Sequence, residues 1–125
     1  MNVVDSSAWL EYFANGPGAA FFSKPIEDAA KLVVPSLVLY EVFKKVSQQR
    51  SESEALQAIA GMQQGQVVDL DMTIALAAAR LSIQHQLPMA DSVILATTLA
   101  CEGVLWTQDS DFEDLPGVRY RQRGT

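Results

Sequence analysis

Carboxylates are the side chains in this sequence most able to do chemistry, and they gather at four places. Asp109, Asp111, Glu113 and Asp114 crowd "TQDSDFEDL", directly behind an apolar run ending at Trp106 and Thr107. Asp5 follows "NVV", Glu41 interrupts the apolar stretch "SLVLYEVF", and Asp91 precedes "SVILATT". Carboxylates held close together cannot all remain ionised, because each anion raises the pKa of its neighbours. A divalent cation removes that conflict. All-oxygen donors select a hard ion, Mg²⁺ or Mn²⁺, and the thiolate and imidazole set typical of zinc is missing. Such a centre activates water for hydrolysis and needs no side-chain nucleophile.

Each acid also has a plainer reading. Glu41 is spaced for an i,i+4 pair with Lys45, worth about 0.2 to 0.5 kcal/mol. Asp91 falls in a first helical turn, where the macrodipole favours a carboxylate by about 0.3 to 1 kcal/mol. Asp5 is placed to start a helix, and the acids after Thr107 suit a solvated turn. Other chemistries find little support. His85 is the only histidine and ends the helical stripe Ile74, Ala77, Ala78, Leu81, which predicts a core-covering role. A Ser-His-Asp or Cys-His site would have to use it. No G-x-S-x-G turn or glycine-rich phosphate loop is present.

The elements that must position the acids are short. Val3 and Val4 predict a strand, followed by a helix that Ser6 or Ser7 can cap. "NGPG" at 15 to 18 ends that helix. A second apolar run, Leu32 to Val34, stops at Pro35 with Ser36 available as the next cap. Leu39, Val42, Phe43 and Val46 recur at helical spacing, and another helix is expected from about Glu52 to Gln64. "QVVDLD" reads as a third strand, with Asp71 capping the next helix. Pro88 breaks that helix, and "MADSVILATTLACEG" begins one that Gly103 terminates. "VLW" is a fourth strand and "GVRYRQR" a fifth, along which Arg119, Arg121 and Arg123 alternate onto one face. Strands alternating with helices indicate an α/β domain with a largely parallel sheet and right-handed crossovers. Ligands in such folds bind at the carboxyl ends of the strands. Asp5 and Asp109 both fall there.

The chain has 125 residues, 49% hydrophobic and 19% charged, which suits one soluble domain spanning 1–125. No apolar run approaches the roughly 18 residues of a membrane span, and no signal peptide is expected. The single Cys101 fits a core position and a reducing cytoplasm. A net charge of −6 argues against a nucleic-acid partner, yet four acids in one metal pocket would leave only −2 elsewhere.

Taken in order, "VVDSSAWLEYF", "PSLVLYEV", "PMADSVILATT" and "LWTQDSDF" resemble the acidic motifs of PIN-domain ribonucleases, specifically the VapC type of toxin. The resemblance runs from residue 2 to about 115. It implies a PIN-like three-layer α/β sandwich, a mainly parallel sheet of about five strands flanked by helices. It also implies a Mg²⁺- or Mn²⁺-dependent endoribonuclease, the toxin of a type II toxin-antitoxin pair, with a cognate antitoxin and commonly a homodimer. Carried over by motif, Asp5, Glu41, Asp91 and Asp109 are the catalytic, metal-binding acids, with Thr107 and Asp111 auxiliary. The spacing leaves Asp109 and Asp111 both open as the fourth acid. Lys44, Lys45, Arg119, Arg121 and Arg123 are candidate contacts to RNA phosphates, although charges on an edge strand also deter edge pairing. Two other classes compete. A phosphoacceptor receiver domain would want a lysine after its last core strands, whereas all four lysines lie in the first half. An inactive PIN-like module that only binds RNA or protein would keep the fold without turnover.

Overall fold

A computed structural model describes residues 1–125. Five short strands, β1 (Asn2–Val4), β2 (Leu32–Pro35), β3 (Gln66–Val68), β4 (Val104–Thr107) and β5 (Val118–Tyr120), form one sheet in the order β3-β2-β1-β4-β5. Every pairing is parallel. Helices α1 (Ser6–Phe13) and α2 (Ala19–Ile26) join β1 to β2, and α3 (Ser36–Gln49) and α4 (Glu52–Met62) join β2 to β3. Helices α5 (Met72–His85) and α6 (Met89–Ala100) carry the chain back to β4. The first two connections step outward on one side of β1, and the third returns to its other side. The strand order therefore reverses between β1 and β4, and right-handed crossovers send the helices to opposite faces on either side of that point.

The central strands are apolar because both of their faces are covered. Val3, Val4, Val33, Val34 and Leu105 are at most 1% exposed, and they join Trp9, Phe22, Ile94 and Phe112 in a core of 19 buried residues. Helix α6 is buried from Ser92 through Thr98. Its Thr97 and Thr98 hydroxyls donate to the Val93 and Ile94 carbonyls, both at 2.9 Å, which satisfies them inside the core.

Local chemistry differs from expectation at several ends. Asp5 itself caps α1, accepting from the Ala8 amide, so Ser6 and Ser7 are helical residues rather than caps. Pro35 precedes α3 without any side-chain cap bond, and Ser36 is the first helical residue. Helix α4 stops at Met62 instead of Gln64. After α6 the left-handed residue is Glu102 (φ 53°) and not Gly103. A Cβ on Gly103 would stand 2.8 Å from the Met1 carbonyl oxygen, so glycine is set there by close approach rather than by helix termination. Asp71 does cap α5, accepting from Ile74. No helix is long and apolar enough to cross a membrane.

Candidate active site

The reversal of strand order between β1 and β4 opens a rim at their carboxyl ends, and the acids sit on it. The register Val4 with Trp106 makes Asp5 and Thr107 the next facing positions. Thr107 Oγ1 donates to Asp5 Oδ2 at 2.6 Å, across 102 residues of sequence. Ser7 Oγ and the Ala8 amide donate to Asp5 Oδ1 at 2.9 and 3.0 Å. Asp5 is only 3% exposed. Burial pushes its pKa up to about 6, against the lowering effect of Thr107, Ala8 and Ser7, and the Asp109 charge adds to the rise. Desolvation thus outweighs three hydrogen bonds.

The turn after β4 is organised by the same threonine. Thr107 Oγ1 accepts from the Asp109 amide at 2.9 Å, and Asp109 Oδ1 accepts from the Asp111 amide at 2.9 Å. A single 3₁₀ turn over Ser110–Phe112 then anchors through Phe112, which is fully buried. Both candidate acids end up facing α6. One carboxylate oxygen from each of Asp91, Asp109 and Asp111 lies within 4.8 Å of the others. The turn brings Asp109 and Asp111 to Asp91 together.

Asp91 occupies the first turn of α6, where the helix dipole favours its charge. The surroundings override that preference. Desolvation first, then the Asp109 charge, then a hydrogen bond and charge from Asp111, and lastly the Asp5 charge push the Asp91 carboxyl up to about 8. No lysine, arginine or histidine relieves this crowding, since the one ion pair in the molecule joins Arg50 to Glu54. The donor set is therefore all oxygen, crowded, and lacking a protein counter-charge. It fits a hard divalent cation, which Asp91, Asp109 and Asp111 would hold.

Glu41 stands apart from that trio. Burial raises its pKa, a hydrogen bond with Ser6 lowers it, and none of the other acids contributes. Its Oε1 is buried without a partner. The i,i+4 pair with Lys45 does not form. Ser6, which acts on Glu41, and Ser7, which donates to Asp5, both lie in the first turn of α1. Sequence reasoning missed both serines as site residues. The only signal was two hydroxyls directly behind a strand-end aspartate.

The remaining candidates are scattered. Lys44 lies 5.8 Å above the Tyr40 ring, and Lys45 is exposed one position on. Strand β5 ends at Tyr120, so the three arginines are not one stripe along a strand. Arg119 is exposed and stacks 5.2 Å from the Trp106 ring, Arg121 is partly buried, and Arg123 is exposed beyond the sheet. His85 is exposed at the end of α5, so it covers no core. Glu113 and Asp114 are exposed on the turn.

The sequence profile of the PIN domain matches residues 3–118. The chain belongs to the PIN domain family. No protein of curated function matches the sequence. Among solved structures, the PIN fold is shared with a toxin-antitoxin complex from Klebsiella pneumoniae at 20% identity and a TM-score of 0.78, covering 95% of this chain and 96% of that one. VapC20 of Mycobacterium tuberculosis, described as a toxin cleaving the sarcin-ricin loop, matches at 15% identity and a TM-score of 0.77, over 94% and 97% of the two chains. PAE2754 of Pyrobaculum aerophilum matches at 21% and 0.69, over 95% and 89%. At such identities the likeness establishes the fold, that of a PIN domain.

Proposed function

We propose that this PIN domain is a metal-dependent endoribonuclease and the toxin of a type II toxin-antitoxin pair. The observation that carries the reading is the convergence of Asp91, Asp109 and Asp111 within 4.8 Å beside the buried Asp5, with no protein cation to neutralise them. The family, and the toxin and toxin-antitoxin proteins that share its fold, support it.

Asp91, Asp109 and Asp111 would hold a Mg²⁺ or Mn²⁺ ion, and Asp5 Oδ2, which takes a single donor, keeps acceptor capacity toward it. Such an ion supplies an activated water and offsets charge developing on the phosphodiester. Thr107 fixes the Asp5 carboxylate and the Asp109 backbone with one hydroxyl, so the two acids move as a unit. Glu41, desolvated and with an unpartnered oxygen, is the protein group suited to accept a proton at Oε1 or to orient water. Lys44, Lys45, Arg119 and Arg123 are available to backbone phosphates. An antitoxin that blocks the rim, a homodimer and a cytoplasmic setting are what this reading implies.

Purified protein incubated with mixed RNA in Mg²⁺ or Mn²⁺ tests the proposal. Cleavage should stop in EDTA and in Asp91→Asn. Undiminished cleavage under either condition overturns the mechanism, and absence of cleavage by wild type at every metal concentration favours a PIN-like binding module.

A further inference from the structure

Two buried polar atoms just beyond the end of the last strand pair have no partner. Gln108 is 4% exposed, and its Nε2 donates to the Ser7 carbonyl at 3.3 Å. That bond fixes which end of the amide is oxygen. Oε1 is left buried with no donor. Arg121 Nη1 is likewise buried with no acceptor. The parallel register pairs Trp106 with Arg119 and Thr107 with Tyr120, and the Arg121 amide continues the ladder to the Thr107 carbonyl at 3.0 Å. Gln108 and Arg121 are consequently the next positions of the two chains, one residue past the ends of β4 and β5. A buried acceptor and a buried donor left unpaired at neighbouring chain positions are a costly arrangement that mutual pairing, direct or through one shared water, would relieve.

We propose that Arg121 is a positioning residue whose guanidinium engages Gln108 Oε1, directly or through one water, and thereby holds the acidic turn in ligand geometry. Gln108 stands between Thr107, which holds Asp5, and Asp109, which faces Asp91. With Ser7 bound at one end of its amide and Arg121 at the other, Gln108 fastens the turn to α1 and to β5 together. Arg121 is thus removed from the set of phosphate contacts and becomes an outer support of the metal site. The inference rests on the metal-binding reading of the rim, and its test is kept separate from turnover.

Mn²⁺ binding is measured by titration calorimetry without RNA for the wild type, Arg121→Gln, Gln108→Leu and the double variant. Each single change should weaken Mn²⁺ binding about tenfold, the scale of losses on removing outer partners of metal ligands. The double variant should bind no more weakly than Gln108→Leu alone, because both changes break one contact. Wild-type affinity in both single variants, or losses that multiply in the double, overturns the proposal. A raised KM for RNA with unchanged Mn²⁺ affinity in Arg121→Gln returns the side chain to phosphate binding and also overturns it. Should Arg121→Gln not fold, Arg121→Lys keeps charge and stem but loses the planar fork. Amide exchange at Asp109 and Asp111 should then quicken, and unchanged exchange counts against the role. A wild type that binds Mn²⁺ with this variant pattern yet cleaves no RNA removes the nuclease reading alone, while one that binds no Mn²⁺ overturns both.

Discussion

Replacing Asp5 by Asn separates the charge at the rim from the shape that supports it. Asn keeps an oxygen for the Ser7 hydroxyl and the Ala8 amide, which bind Oδ1 at 2.9 and 3.0 Å. It presents an NH₂ toward Thr107, so the 2.6 Å hydrogen bond must reverse. One mis-set hydrogen bond costs about 1 kcal/mol. Against that, Asp5 is 3% exposed and its pKa is pushed up to about 6 from the usual 3.8. The difference corresponds to about 3 kcal/mol of destabilisation when the group is ionised in the fold. Because the folded state holds the proton more tightly, stability falls as pH rises from about 4 to about 6 and is flat for this group above that. Asp91, pushed up to about 8, acts with the same sign and extends the decline in both proteins. The net expectation for metal-free Asp5→Asn at pH 7 is a gain of about 2 kcal/mol, roughly 8 °C in Tm for a chain of this length. At pH 5 about half of the charge penalty remains, and the gain shrinks to less than about 1 kcal/mol. Thermal and urea unfolding in EDTA at both pH values measure this. A variant less stable than wild type at pH 7, by an amount independent of pH, would refute the argument that desolvation dominates at Asp5.

Three further outcomes follow from the same geometry. Wild-type protein at a Mn²⁺ concentration one hundred times its Kd should gain about 2.7 kcal/mol, or about 10 °C in Tm, while Asp91→Asn gains much less; equal shifts would place the ion elsewhere. Thr107→Val removes the donor to Asp5 and the acceptor for Asp109 at a site 0% exposed. Urea unfolding should show a loss of about 2 to 3 kcal/mol, most of it absent in Thr107→Ser, and a Thr107→Val variant as stable as wild type would show that the hydroxyl contributes nothing. Phe112→Ala empties a fully buried position under the acidic turn, so a loss of about 3 to 5 kcal/mol is expected together with weaker Mn²⁺ binding; weaker binding without lost stability would contradict the anchoring role.

What the sequence determined by itself were the elements and the candidate acids. Val3 with Val4, Leu32 to Val34 and the run before Thr107 are apolar because their strands are covered on both faces, and that need is written locally. Asp71 before Ile74 and Pro88 before α6 are likewise signals acting over three or four residues. The order of the acidic motifs along the chain was equally legible. Tertiary structure alone decided how those pieces meet. The adjacency of β1 and β4 is a pairing of segments about a hundred residues apart, fixed by crossover handedness and packing rather than by any nearby residue. From it come the bond between Thr107 and Asp5, the burial of that carboxylate, and the joining of Asp109 and Asp111 to Asp91. The same long-range packing sets Glu41 beside Ser6 rather than Lys45, leaves His85 in solvent, and splits the three arginines once β5 ends at Tyr120. Local preferences extend only a few residues along the chain, so they name the parts; the environment that shifts a pKa or seals a guanidinium is made by residues far away in sequence.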